Sequence, residues 1–155
     1  MGKESVLSVT GHRWHKLPFG ENEADTRCRA LMNIVTGVLT FRIEGGISHV
    51  ICGMALGFDT LVAEAGLTLK SSLYSHITLE AALFCPEQSA RWTPEQRRRF
   101  ERILEHCQAP PTITSPAYFE GCEMIRNRYL VDNGGVLLAG WDGRPSGTGK
   151  TVGYA

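Results

Sequence analysis

Short apolar runs alternate along the chain with longer stretches in which apolar residues recur at helical spacing. The runs at 5–9, 49–52, 80–84, 111–115 and 135–139 predict β-strands. The stretches at 24–44, 58–70 and 119–132 predict helices, and Thr93 followed by Pro94 predicts the start of another helix that ends near Cys107. This alternation is typical of the α/β class, with a mostly parallel sheet between two layers of helices.

Length and composition fit one domain over residues 1–155. The chain is 43% hydrophobic, which is enough to bury a core at this length. Its 16 basic and 16 acidic residues cancel, so no overall positive field attracts a nucleic acid or an anionic membrane. Any anion-binding site is therefore expected to be local.

The N-terminal residues and the cysteines bear on location and metal binding. The chain begins without the apolar segment of a secretory leader, and no apolar run reaches the length of a membrane span, which predicts a cytoplasmic protein. The five cysteines are irregularly spaced and form no C-x-x-C, a pattern that favours reduced, buried thiols. His12 and His15 form an H-x-x-H without a second ligand pair, so no metal site is expected.

The last apolar run opens into a loop rich in glycine and hydroxyl groups, Ser-Gly-Thr-Gly at 146–149, ahead of a helical stretch. Such a loop presents backbone N–H groups to a phosphate. Gly-Lys-Thr at 149–151 copies the end of the ATPase motif G-x-x-x-x-G-K-[ST], but the first glycine of that motif falls on Arg144. The spacing favours a different kind of anion-binding loop, and a loop without a ligand remains an alternative.

Residues with ligand-binding chemistry follow the predicted strands at the points where the strands end. Ligands of parallel α/β sheets bind at the carboxyl ends of the strands, so these residues are expected to share one edge. The candidates from these segments are Thr10, Gly11, His12, Arg13, Gly53, Gly57, Phe58, Asp59, Asp142, Ser146, Gly147, Thr148 and Thr151. Two of the segments also contain Trp14 and Trp92, which are either stacking partners for a nucleobase or anchors that pack within their loops.

The predicted helix before the last strand contains two arginines that cannot both face the site. Arg126 and Arg128 are separated by about 200° around a helix. We predict that Arg126 points inward, with Asn127 as its neighbour. The arginines at 97–102 are interleaved with glutamates and predict a solvated, salt-bridged helix face.

Four segments, taken together, resemble the YpsA-like branch of the SLOG superfamily. They are Thr-Gly-His-Arg at 10–13, Gly-Met-Ala-Leu-Gly-Phe-Asp at 53–59, Arg-Asn-Arg-Tyr-Leu-Val-Asp at 126–132, and Trp-Asp-Gly with the later Ser-Gly-Thr and Tyr-Ala at 141–155. The superfamily consists of Rossmann-like domains and includes the LOG phosphoribohydrolases and DprA. The resemblance implies a nucleotide-like ligand, with its phosphate at Gly147-Thr148 and its ribose or base near 10–13 and 53–59.

The loop departs from the pattern of the hydrolases. LOG-type enzymes resemble Pro-Gly-Gly-x-Gly-Thr followed by a catalytic Glu, whereas no acid follows the loop here. Cleavage of an N-glycosidic bond needs a carboxylate, and Asp59, Glu64, Glu87 and Asp142 are the nearby acids. Asp59, Glu64 and Arg126 are therefore the candidate catalytic residues, although Asp59 is also expected to start a helix.

Three functions follow as hypotheses. The first is binding of a nucleotide or an ADP-ribose- or NAD-derived small molecule, for sensing or sequestration, with no further cofactor required. The second is hydrolysis of a nucleotide N-glycosidic bond by a phosphoribohydrolase-like enzyme. The third, nucleic-acid binding by analogy with DprA, is disfavoured by the neutral charge.

The C-terminal region is a second departure from the family pattern. Related chains continue through a helix and a further strand after the Ser-Gly-Thr loop, whereas this sequence ends at Ala155, so its last helix and strand are expected to be shortened. An uncovered sheet edge invites pairing with another chain. A homo-oligomer is therefore expected.

Overall fold

Residues 2–155, which the computed structural model describes, form one five-stranded parallel sheet flanked by helices. The strands are β1 (Val6–Gly11), β2 (His49–Cys52), β3 (Thr78–Leu83), β4 (Thr112–Ile113) and β5 (Val136–Gly140), in the spatial order β4-β3-β2-β1-β5. The helices are α1 (Thr26–Glu44), α2 (Phe58–Ser72), α3 (Pro94–Glu105), α4 (Cys122–Asn133) and α5 (Gly147–Tyr154), with short 3-10 turns at Lys3–Ser5 and Trp14–Lys16. The predicted α/β, Rossmann-like arrangement is confirmed.

The strand order places the helices on two faces. From β1 to β4 the chain moves steadily toward one side, and α1, α2 and α3 bury their apolar residues in one large core with the sheet. The chain then returns past β1 to form β5, and α4 packs on the opposite face, where Leu130 contacts Val6, Ile51 and Ala82. The Ser8 hydroxyl also donates a hydrogen bond of 2.6 Å to the carbonyl of Leu130. The molecule therefore has three layers.

The ends of several elements differ from the sequence prediction for identifiable reasons. The first long helix begins at Thr26, because the Asp25 carboxylate accepts from the N–H of Arg27 (2.8 Å) and caps it there. The fourth strand pairs only over Thr112 and Ile113, in register with Ala82 and Leu83. The predicted cap at Thr93 is present as a reciprocal capping box with Gln96.

β4 and β5 are the two edge strands of this sheet. The predicted homo-oligomer stays a prediction. None of the helices within residues 2–155 combines the length and the apolar character needed to cross a membrane.

Candidate functional site

The strand order creates a crevice between the carboxyl ends of β1 and β5. The chain leaves β1 toward β2 on one side and arrives at β5 on the other, which is the topological switch point of such a sheet. A cavity of about 280 Å³ lies at this point, and we call it the switch-point cavity. It is lined by Thr10, Gly11, His12, Arg13, His15, Lys16, Ala55, Asp59, Glu123, Arg126, Asn127, Ser146, Gly147 and Thr148.

The N-terminus of α5 forms one wall of the switch-point cavity. The hydroxyl of Ser146 accepts from the N–H of Gly149 at 3.0 Å and caps the helix. At Gly147, an added Cβ would meet no other group within 4 Å, so this part of the loop is open. Thr151, a predicted ligand-binding residue, instead lies fully buried outside the cavity, where its hydroxyl donates to the carbonyl of Gly147 (3.0 Å).

Arg126 reaches the switch-point cavity from α4, whereas Arg128 is exposed and lies over the ring of Tyr154. Burial lowers the pKa of Arg126, and the charge of Asp59 opposes this shift. The Arg126 guanidinium donates from Nη1 to the carbonyls of Gly53 and Ala82. From Nε it donates to Asn127 Oδ1 at 2.8 Å.

Gly53 was a predicted ligand-binding residue and does not line the cavity. A Cβ at Gly53 would lie 2.9 Å from Nη1 of Arg126, so the glycine leaves room for the guanidinium. The position of Gly53 is explained by packing rather than by direct contact with a ligand.

Asp59 contributes a buried carboxylate to the switch-point cavity. It is only 4% exposed, and its Oδ2 accepts from the N–H of Ala55 at 3.1 Å. Its Oδ1 is also buried and has no hydrogen-bond partner among residues 2–155. Burial raises the pKa of Asp59 to about 6, against the opposing effects of Arg126, the Ala55 hydrogen bond and Arg13.

Asp59 lies at the start of its helix as expected, but it does not cap that helix. α2 is preceded by Gly57, which has a positive φ of 112° and no side chain with which to cap the helix. Asp59 lies in the first turn, and its carboxylate holds the preceding loop through Ala55. Its second oxygen is therefore not committed to the helix.

Gly57 and Phe58 form the floor of the crevice and lie outside the cavity lining. A Cβ at Gly57 would come within 2.6–2.8 Å of the backbone of His12, Arg13 and Trp14. The ring of Phe58 lies against Gly11 and Gly140, which are paired at the ends of β1 and β5. Both positions that were predicted to contact a ligand are explained by packing.

Asp142 lies beside the switch-point cavity and contacts His12. Its Oδ1 is 3.1 Å from His12 Nε2, and its N–H is 3.2 Å from the same nitrogen. A neutral imidazole accepts from that N–H at Nε2, whereas a protonated one donates to the carboxylate. The pKa of Asp142 is lowered by the N–H of Arg144 and by His12. Asp142 therefore orients His12. It was predicted to bind the ligand, but it does not line the cavity.

Glu64, which was predicted as a candidate catalytic residue, does not line the switch-point cavity. Both of its oxygens accept from Arg99, at 2.6 and 2.8 Å, and Arg99 also binds Glu23 at 2.7 and 2.8 Å. These carboxylates raise the pKa of Arg99. The salt bridges of Arg99 thus join α3 to α2 and to the 21–23 segment. The sequence had predicted pairs between Arg99 and glutamates of its own helix instead.

The sequence analysis missed several residues that line the switch-point cavity. Glu123 lies one turn before Arg126 on α4, and its carboxylate is 3.3 Å from Nη2 of Arg13. His15 and Lys16 reach the cavity from the 3-10 turn. The spacing of Glu123 and Arg126 at i and i+3 is a signal that could have identified the glutamate.

The two tryptophans have different environments. Trp14 is buried against Phe19, Cys28 and Leu61, so it anchors its loop and is not a stacking surface for a nucleobase. Trp92 packs edge-on against Phe100, with 5.2 Å between ring centroids, and also lines a second cavity of about 550 Å³. Glu87, another of the nearby acids, lines this second cavity as well.

The cysteines are not joined in disulfides, and potential metal ligands do not form a cluster among residues 2–155. The five cysteines are free, and burial raises the pKa of Cys28, Cys52, Cys85 and Cys107. Within residues 2–155, no three side chains of His, Cys, Asp or Glu lie together in an arrangement that would hold a metal ion.

Comparison with known proteins identifies relatives of this chain. Residues 7–152 match the YpsA model, which describes the YspA SLOG family. A UPF0398 protein of Lactiplantibacillus plantarum is 27% identical over 124 residues, which are 79% of this chain and 64% of the relative. The chain thus spans less than two thirds of the length of that relative.

Proposed function

We propose that this protein, which belongs to the YspA SLOG family, binds the ribose and phosphate of a nucleotide or of an ADP-ribose- or NAD-derived molecule in the switch-point cavity. Binding there serves to sense or sequester the ligand. The proposal rests on the chemistry of the cavity.

Two kinds of group converge on this cavity and support the proposal. The N-terminus of α5 offers backbone N–H groups at the open Gly147, and Arg126 adds a buried positive charge. The strongest support for the proposal is that the Oδ1 atom of Asp59 is a buried acceptor without a hydrogen-bond partner. An unpaired buried acceptor is costly, and a ribose hydroxyl supplies the missing donor.

Gly147→Val tests this proposal. The new side chain obstructs the approach of a phosphate to the N–H groups of α5, and each such bond to a charged group is worth about 1.5–3 kcal/mol. Calorimetry should show ribose 5-phosphate and AMP binding at least about ten-fold more weakly. The melting temperature of the free protein should change little, because nothing lies within 4 Å of the new Cβ.

Gly153→Val is the matched control, since Gly153 lies on the same helix, is equally open and is remote from the cavity. It should leave affinity unchanged. In the unaltered protein, a bound ligand at a hundred times its Kd adds about 2.7 kcal/mol to unfolding and raises the melting temperature. A panel of ribose 5-phosphate, AMP, ADP-ribose and NAD that shifts no melting temperature at millimolar concentration would refute the proposal.

A second candidate function, N-glycosidic hydrolysis, is favoured by the same carboxylate. Asp59 has a raised pKa of about 6 and lines the switch-point cavity, where it could act as a general base or stabilise a ribosyl cation. The loop after Gly147-Thr148 still lacks the acid of LOG-type enzymes. We therefore favour ligand binding over hydrolysis as the function of the cavity.

Release of free base from AMP, GMP, CMP and UMP separates the two functions. A binding protein shows no multiple turnover over hours at micromolar concentration. Steady turnover that is lost in Asp59→Asn but kept in Glu64→Gln would favour hydrolysis over binding alone. Glu64→Gln is the control, because Glu64 is paired with Arg99 outside the cavity. Turnover that survives Asp59→Asn would instead exclude Asp59 as the catalytic carboxylate.

A further inference from the structure

A larger cavity adjoins the switch-point cavity and has a different character. Its volume is about 550 Å³, and it lies among the segments that follow β2, β3 and β4. Its aromatic lining consists of Phe84, Trp92 and Tyr118, with Leu56 and Ala90 beside them. Because of these three rings we call it the aromatic cavity.

The two cavities share part of their lining and are therefore adjacent. Arg13, Ala55 and Glu123 line both of them. The ion pair of 3.3 Å between Arg13 and Glu123 therefore lies at the boundary between the cavities, and both of its side chains are half-exposed. A ligand that occupies both cavities passes this pair.

Arg126 provides a second connection. Its guanidinium lines the switch-point cavity, while the centre of the same group lies 5.5 Å from the ring centroid of Phe84. Phe84 in turn meets Tyr118 edge to face at 6.4 Å. The group that faces the phosphate and ribose thus contacts the aromatic wall directly.

Gln88, the buried polar side chain in the lining of the aromatic cavity, already has hydrogen-bond partners. The Gln88 amide, which is buried, accepts from the N–H of Phe84 at 2.9 Å and donates to the carbonyl of Gly53 at 3.0 Å. Charged side chains at the cavity, Glu87 and Arg91, lie beside the three rings, and those rings offer the surface on which a flat base can stack.

We propose that the two cavities form one bipartite site, in which the aromatic cavity holds the base of a nucleotide whose ribose and phosphate occupy the switch-point cavity. This inference rests on the proposed function for the position of the phosphate. It adds that the base lies beyond the Arg13–Glu123 pair, next to Phe84 and Tyr118, and not against Trp14.

The test compares ligands with and without a base. Calorimetry measures the affinities of ribose 5-phosphate, AMP, GMP, CMP and UMP for the unaltered protein. Stacking of a base on aromatic side chains strengthens binding by roughly five- to hundred-fold. At least one of the four nucleotides should therefore bind on the order of ten-fold more tightly than ribose 5-phosphate.

Two variants test whether the aromatic cavity is the source of this gain in affinity of a nucleotide over ribose 5-phosphate. Ala90→Trp fills the aromatic cavity from an exposed position and should abolish the gain while leaving ribose 5-phosphate affinity unchanged. Tyr118→Ala removes a ring that is 64% exposed, so folding is preserved, and should reduce the gain several-fold. Phe119→Ala, an adjacent exposed ring outside both cavities, is the control and should keep the full gain.

The outcomes distinguish the two proposals. If ribose 5-phosphate binds but none of the four nucleotides binds more tightly, the bipartite site is refuted and the proposed function stands. A full gain in both Ala90→Trp and Tyr118→Ala also refutes the bipartite site, because the base then lies elsewhere. If ribose 5-phosphate, the four nucleotides, ADP-ribose and NAD all fail to bind, both proposals fail.

Discussion

Asp59 and Arg126 bring opposite charges into one buried region without forming a direct ion pair. Arg126 is held by backbone carbonyls and Asn127, and Asp59 by the N–H of Ala55. Each group influences the pKa of the other, yet desolvation is the largest effect on both. Buried charges without direct partners reduce stability, and the proposed ligand binding offers a physical reason for keeping them.

Asp59 should make stability depend on pH in a defined direction. Its pKa is about 6 in the folded protein against an ordinary value of 3.8 for an aspartate, so the folded state favours the protonated carboxyl. The stability associated with this group is present below pH 4 and is lost as the pH rises through about 6. Asp59→Asn has no carboxyl to ionise and so avoids this loss of stability. At about 1.4 kcal/mol per pKa unit, the loss in the unaltered protein amounts to about 3 kcal/mol of unfolding free energy.

Urea unfolding at pH 4, 5, 6 and 7 measures this effect. The stability of Asp59→Asn relative to the unaltered protein should increase over that range. Asp142→Asn serves as a contrast, because the pKa of Asp142 is lowered, so its contribution to stability is lost only as the pH falls below about 4 and should stay nearly constant from pH 4 to 7. A constant difference between Asp59→Asn and the unaltered protein from pH 4 to 7 would contradict the account of Asp59.

At the scale of elements, the contact between the end of β1 and the start of α2 shapes the site. Phe58 donates its N–H to the carbonyl of His12 at 3.0 Å, and this approach requires Gly57. The same junction positions Asp59 one residue later. A change at Gly57 therefore acts on the whole crevice and not on one side chain.

Gly57→Ala should destabilise the protein by about 2 kcal/mol or more. The backbone at Gly57 has a φ of 112°, which is strained for alanine, and the new Cβ collides with the backbone of residues 12–14. Chemical denaturation measures the loss.

Gly66→Ala is the control within the same helix, since nothing lies within 4 Å of its added Cβ. It should gain up to about 1 kcal/mol from helix propensity. Equal stabilities for the two variants would show that the close contact at Gly57 is unimportant.

At the scale of the whole molecule, the order of the strands decides where chemistry is concentrated. Because β1 lies between β2 and β5, loops from the beginning, middle and end of the chain meet at one crevice. α4, on the face opposite α1 and α2, adds Arg126 and Glu123 to it. A net charge of zero is compatible with this arrangement, since the positive groups are gathered locally.

Much of this arrangement was predictable from the sequence. The apolar periodicity predicted each strand and most helix bounds to within a few residues, because burial on one face leaves a local signal. The glycine-rich loop at 146–149 predicted the start of α5 for the same kind of local reason. Residues just after the strands were expected at one edge, and most of them line the switch-point cavity.

Local patterns in the sequence were enough to predict the α/β class, the alternation of elements and the edge at which polar residues gather. The folded structure was needed to show that Glu64 pairs with Arg99, that Glu123 faces the cavity, that Trp14 is buried and that Gly57 serves a close backbone contact. Periodicity is a property of neighbouring residues, whereas these outcomes depend on which helix faces meet across the sheet. Long-range packing also left one oxygen of Asp59 without a partner, a feature that no local pattern records.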